Sequence, residues 1–134
     1  MGEGLKMSAA LAHVAVYASD LEKAKNFYVN FFGGKCGALY RNSRGFSSYF
    51  ISFGNDARLE VMHSQTIGRR ERQEPEIGWN HIAFSVGAVD TVLSLTRKIV
   101  DAGYPLFSAP RKTGDGYFES CVGDPDGNRV EITV

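Results

Sequence analysis

Residues 13–28, HVAVYASDLEKAKNFY, decide the fold of this chain, because residues 81–95, HIAFSVGAVDTVLSL, repeat their plan. Each stretch opens on a histidine, runs through a short apolar segment, and then takes up apolar residues at helical spacing. In the first, Val14 and Val16 fall on one strand face, with His13, Ala15 and Tyr17 on the other. Ser19 or Asp20 then caps a helix through Leu21, Ala24, Phe27, Tyr28 and Phe31, and Gly33-Gly34 ends it. In the second, Ile82, Phe84 and Val86 oppose His81, and Asp90 leads into a helix through Val92, Leu93, Leu95, Ile99 and Val100 that Gly103 stops. Working outward, the first strand fills residues 9–18, and strands follow at about 36–42, 46–54 and 57–64, with turns at Gly45 and Gly54-Asn55-Asp56. The second half restarts with WNHIAFSV and continues with strands near 105–108, 116–123 and 128–134, the last two joined by the turn DPDGN. Residues 65–78 carry clustered charge, Pro75 and little periodicity, and read as a linker or active-site loop. The expected class is α+β: one βαβββ module over 9–64, a linker over 65–78, and a second module over 79–134, in a single domain.

Bulk properties permit this and exclude several functions. A chain of 134 residues can bury a core without staples. Lys plus Arg balances Asp plus Glu at 15 each, so no net field favours nucleic acid or an anionic membrane, and neither is expected as a partner. No apolar stretch approaches the roughly 20 residues that span a bilayer. The start, MGEGLKMSAA, does not read as a secretory signal, and Met7 is a candidate natural start. Cys36 and Cys121 form no CxxC pair and no disulfide framework, so a reduced, cytoplasmic protein is expected. No phosphate loop, dinucleotide fingerprint or Gly-x-Ser-x-Gly elbow occurs.

The chemistry concentrates in four residues. His13 is followed 47 residues later by Glu60, and His81 is followed 50 residues later by Glu131. Strand alternation sets Glu60 opposite Leu59 and Val61, and Glu131 opposite Val130 and Ile132. All four candidates are thereby expected on the face away from the helices, the concave side of a curved sheet. A single histidine or glutamate on such a face is usually just solvated. It is the recurrence at equivalent points of two halves that lifts these four above that reading. Two imidazoles and two carboxylates suit a divalent nickel, cobalt, zinc or manganese ion. His63 falls on the opposite face from Glu60 and is rejected as a ligand. Cys36 and Cys121 read as packing residues, although Cys121 could line the cleft. The Arg69-Arg70 run with Arg72 reads as a solvated loop face that could meet an anionic substrate tail. Tyr17, Phe50, Trp79 and Tyr117 could line a pocket, with core packing expected for at least half of them.

These residues carry a resemblance. The opening His13-Val-Ala-Val with Asp20-Leu21 and Phe27-Tyr28, the second opening His81-Ile-Ala-Phe, and the close Asp124-Pro-Asp-Gly-Asn-Arg-Val-Glu131-Ile are similar to the vicinal oxygen chelate superfamily. That group, also called the glyoxalase, bleomycin-resistance and extradiol dioxygenase superfamily, covers the chain from about residue 11 to its end. The resemblance implies paired βαβββ modules forming a curled mixed sheet around a metal-binding cleft, commonly completed in a homodimer. It implies His13, Glu60, His81 and Glu131 as metal ligands. A glutamate at the second position is similar to the glyoxalase I branch, in which a ligand glutamate removes a proton next to a carbonyl and the metal stabilises the enediolate. Glu131, with Glu60 sharing the role, is the implied base. The implied function is a metal-dependent lyase or isomerase of the lactoylglutathione lyase kind, acting on a small molecule such as a thiol adduct. An acyl-thioester epimerase, a metal-free drug-binding protein and, at lower rank, a fosfomycin-modifying transferase are the alternatives. One departure concerns the substrate. Tyr17 and Ser64 stand where glutathione-using members carry arginine and asparagine, which leaves a different small oxygenated substrate open.

Overall fold

Asp20 sets the first helix. Its backbone is extended and its carboxylate accepts a hydrogen bond from the Lys23 backbone N–H at 3.0 Å, so it caps helix α1 (Leu21–Phe32). Gly33 closes the helix at φ 69°, a left-handed position that any residue with a Cβ would occupy at a cost of roughly 1–2 kcal/mol. The computed structural model describes residues 7–54 and 57–134. The leading residues 1–6, and Asn55 and Asp56 of the turn expected at Gly54-Asn55-Asp56, lie outside the described residues.

The other elements are β1 (His13–Tyr17), β2 (Lys35–Cys36), β3 (Tyr40–Arg41), β4 (Phe46–Ser52), β5 (Arg58–Ser64), β6 (His81–Ser85), α2 (Val89–Asp101), β7 (Leu106–Lys112), β8 (Phe118–Gly123) and β9 (Arg129–Thr133). One sheet has the order β1-β5-β4-β2, with β3 also paired to β4; the other has the order β6-β9-β8-β7. In each, the first strand of the module runs parallel to its last, and the remaining neighbours are antiparallel. The expected α+β duplication is therefore present. Each module keeps its own mixed sheet rather than sharing one.

Three strands differ from expectation, the first of them, expected over 9–18, being confined to His13–Tyr17. The strand expected at 36–42 is broken into β2 and β3, because the register against β4 slips by one residue between Cys36↔Ile51 and Tyr40↔Ser48. The strand expected at 105–108 runs on to Lys112 despite Pro110. It is an edge strand, and register shifts around Pro110 remove the need for that residue's N–H.

The core lies between the helices and the inner sheet faces. Leu59, Val61, Val130 and Ile132 are buried there with Phe27, Tyr28, Ile51, Val92 and Ile99. Val14, expected against the helices, is 40% exposed, because α1 lies over β2, β4 and β5 rather than over the edge strand β1. The modules meet through α1. Phe32 stacks on Phe84 with ring centroids 4.4 Å apart, Phe53 meets the same ring at 4.8 Å, and Phe27 meets Tyr104 at 5.0 Å. Asp124, only 3% exposed, secures the junction. Its Oδ1 accepts from the backbone N–H of Asp126 and Asn128, and its Oδ2 accepts from Asn128 Nδ2 and, at 2.8 Å, from the Tyr28 hydroxyl of α1. Its four donors satisfy a carboxylate that burial would otherwise penalise heavily.

Candidate metal centre

The same strand register builds one histidine–glutamate pair in each sheet. In the first, His13 pairs across from Arg58 and Ala15 from Glu60; in the second, His81 pairs across from Arg129 and Ala83 from Glu131. His13 Nε2 stands 3.7 Å from Glu60 Oε1, and His81 Nε2 stands 3.1 Å from Glu131 Oε2. Two donors held about 2.0–2.2 Å from one first-row ion, at tetrahedral or octahedral angles, are roughly 2.9–3.5 Å apart. The second pair already has that spacing, and the first needs to close by a few tenths of an ångström. All four side chains keep solvent access, from 16% for Glu60 to 42% for His13, so each pair can be reached from outside.

The chain does not gather all four. The pairs sit on different sheets, and among the described residues no three His, Cys, Asp or Glu side chains come together with metal-binding geometry. Each sheet thus presents half of the expected shell.

The surroundings of the two pairs differ. His81 Nδ1 lies 2.8 Å from Asn80 Oδ1, and Asn80 Nδ2 donates to Glu74 Oε2 at 2.9 Å. Only the amide nitrogen can donate to a carboxylate, so the Asn80 oxygen is left to accept from the Nδ1–H of His81. That bond leaves Nε2, the atom facing Glu131, free to accept or to serve as a donor to a metal. His13 follows Ala12, which has no polar side chain to offer. Its ring meets the edge of Phe50 instead, at 5.3 Å. Arg58 stacks over Phe50 at 4.3 Å, and Arg129 over Phe107 at 4.8 Å.

A cavity of about 130 Å³ opens beside the second pair, lined by Glu131, Glu119, Cys121, Arg111, Arg129 and Asn80 among others. Its Glu119 carboxyl is pushed up to about 6, first by its hydrogen bond to Glu131 and then by burial and the nearby negative charge. Burial pushes the Cys121 thiol up as well, against the pull of Arg129. Cys121 therefore does line the cleft, in cross-strand register with Glu131.

Other candidates resolve plainly. His63 turns to the helix side, with Nδ1 2.8 Å from the Ala18 carbonyl. Arg72 donates to Asn128 at 2.6 Å and Arg70 pairs with Glu76. Core packing, expected for at least half of four aromatics, fails for Tyr17 (52% exposed), Trp79 (96%) and Tyr117 (55%), which lie where nothing among the described residues covers them. Glu74, Asn80, Arg111 and Glu119 are not among the residues that the sequence pattern singles out. Asn80 carries a signal in its position directly before His81, and Glu119 one in its alternation with Cys121.

Comparison with known proteins places the chain. It is 29% identical over 127 residues to the uncharacterized protein YqjT of Bacillus subtilis (strain 168), covering 91% of this chain and 96% of that protein. It is 30% identical over 82 residues to the uncharacterized protein YwkD of the same strain, a match spanning 60% of this chain and 64% of that protein. In structure it is similar to a glyoxylase/bleomycin resistance protein/dioxygenase domain from Frankia sp. EAN1pec, with a TM-score of 0.81 at 16% identity, covering 96% of this chain and 98% of that one. A trypanothione-dependent glyoxalase I of Leishmania major superposes with a TM-score of 0.72 at 21% identity, covering 94% and 86%. Both structural likenesses concern the fold alone. With paired βαβββ modules, a repeated histidine–glutamate register and a match to the family over residues 10–132, this chain belongs to the Glyoxalase/Bleomycin resistance protein/Dioxygenase superfamily.

Proposed function

We propose that this chain is a metal-dependent lyase or isomerase of the glyoxalase type, with Glu131 as the base that removes a proton next to a carbonyl. The observation that carries this reading is the repetition of one His–Glu register in both sheets, with N···O separations of 3.7 and 3.1 Å. Each sheet supplies two donors and a competent shell needs about four, so a homodimer that sets the first sheet of one copy against the second sheet of another completes the site. Ile77 and Trp79, which precede His81 in the sequence and are fully or almost fully exposed, are apolar surface that such an arrangement would cover. A divalent first-row ion, when bound, supplies charge stabilisation at the substrate oxygen as the proton leaves.

The protein's own groups do the rest. Asn80 fixes the His81 ring, whose Nε2 would then be the nitrogen that holds the ion. Glu131 lines the cavity and is within reach of a C–H bond held there. Phe50 gives His13 and Arg58 an apolar wall. Tyr17 lies 52% exposed at the position of a glutathione-binding arginine, and Ser64 bonds locally to Thr66, which favours a small oxygenated substrate other than a glutathione adduct.

The test is elemental analysis of protein never exposed to chelator, beside Glu131→Gln. About one first-row divalent ion per chain, depleted in the variant, is the expected result. No bound metal after reconstitution with nickel, cobalt, zinc and manganese would sink the reading.

A further inference from the structure

The two sheets match at their His–Glu pairs and diverge immediately beside them. Around Glu60 the cross-strand neighbours are Phe50 directly opposite, then Ser48, then Tyr40 on the outer strand. At the same register positions around Glu131 stand Cys121, then Glu119, then Arg111. A site drawn from one copy of each sheet therefore has one side with Phe50 and a single guanidinium, Arg58, stacked on it, and another with two guanidinium and two carboxyl groups.

On the second-sheet side two guanidinium groups face one cavity. Arg111 and Arg129 both line it, and among the described residues neither has a carboxylate oxygen within 4.0 Å. Each is held by a neutral group instead. Arg111 donates from Nη1 to the Ser108 hydroxyl, and Arg129 rests on the Phe107 ring. The cations are thus positioned without an ion pair among the described residues, and their remaining N–H donors are available to a ligand. A planar fork of donors matches a carboxylate or phosphate group, and a volume of about 130 Å³ suits a small organic anion better than water alone.

We propose that Arg111 and Arg129 form an anion-binding subsite beside Glu131, so that the substrate is a small organic acid, carboxylate or phosphate. The subsite rests on the metal-assisted proton-transfer reading for its catalytic meaning but not for its existence.

The experiment follows the side-chain Nε–H signals of Arg111 and Arg129 by NMR, with pyruvate, inorganic phosphate and methyl pyruvate added in separate titrations. It is run on metal-loaded and metal-free protein, with metal content read on the same samples. The expected result is saturable shifts with pyruvate or phosphate at least about tenfold tighter than with the uncharged ester, reduced about tenfold in Arg111→Gln. Preference for pyruvate identifies the group as a carboxylate, and preference for phosphate identifies it as a phosphate. An ester that binds as tightly as both anions, or an Arg111→Gln variant that keeps the full preference while Arg129→Gln does so too, overturns the subsite. Anion binding in protein that takes up no metal leaves the subsite standing and removes the proposed catalytic role. Metal without anion preference removes the subsite alone.

Discussion

Asn80 is the residue whose contribution is easiest to isolate. It contacts no ion itself; it holds His81 through one hydrogen bond while Glu74 holds its own amide. Asn80→Ala frees the ring to rotate and removes the acceptor that keeps the proton on Nδ1. Metal affinity should fall by about 10- to 100-fold, measured by competition with a chelator of known strength, while the melting temperature barely moves because Asn80 is exposed. An unchanged affinity would mean that His81 is not oriented by Asn80. Residue identity alone makes the two histidine–glutamate pairs legible, since the two sequence halves carry them at matching points. The supporting residues are less legible. Glu74 reaches Asn80 from an irregular segment, and no periodicity places a side chain in such a loop. Glu119 is recoverable in principle, because a tight turn centred on Asp126 forces Cys121 opposite Glu131 and so sets Glu119 one step along the same face.

At the scale of elements, the decisive joint is between α1 and the β8–β9 turn. Tyr28 is buried among Phe32 and Phe84, and its hydroxyl donates to a buried carboxylate. Burial first, and then Asp124, push the Tyr28 hydroxyl well above its ordinary value of 10.0. A raised folded-state value means that this group's stabilising share is complete below about pH 10 and is lost as pH climbs beyond it, because the unfolded chain then releases a proton that the folded chain retains. Tyr28→Phe should cost about 1–3 kcal/mol at neutral pH by leaving Asp124 short of a donor. It should also flatten the alkaline decline, so the wild-type advantage shrinks above pH 10. Urea denaturation of both proteins at about pH 7 and about pH 10.5 checks this, and a gap that stays constant with pH would contradict it. The helices and most strands are readable from sequence because period and caps agree there, as at Asp20 and Gly33. The broken strand at 36–42 is not, since a one-residue slip against β4 leaves no mark in the hydrophobic pattern. Gly34 shows the same limit. Its value lies in close approach, a Cβ there falling 2.4 Å from Ile51 Cγ2, which no sequence pattern reveals.

For the molecule as a whole, the duplicated sequence foretells two modules but not how their half-shells are shared. Strand pairing is local to each module, whereas the relation between sheets is set by aromatic contacts across α1 that have no sequence period. With each sheet offering one pair, a homodimer that joins unlike sheets makes a distinctive prediction. His13→Ala and His81→Ala should each abolish tight metal binding when purified alone, since every site then lacks one imidazole. Co-refolded in equal amounts, half of the dimers should be mixed, and in a mixed dimer both lesions fall in one site while the other keeps all four donors. Metal bound should then recover to roughly a quarter of the wild-type level, read by elemental analysis after gel filtration. Sites built within single chains would recover nothing on mixing, because each chain would carry its own lesion into its own site. Recovery in the mixture, together with its absence when His13→Ala is mixed with Glu60→Ala, would assign the first-sheet donors and the second-sheet donors of each site to different copies. That second mixture breaks the same half-shell in both partners, so no arrangement of its dimers restores an intact site.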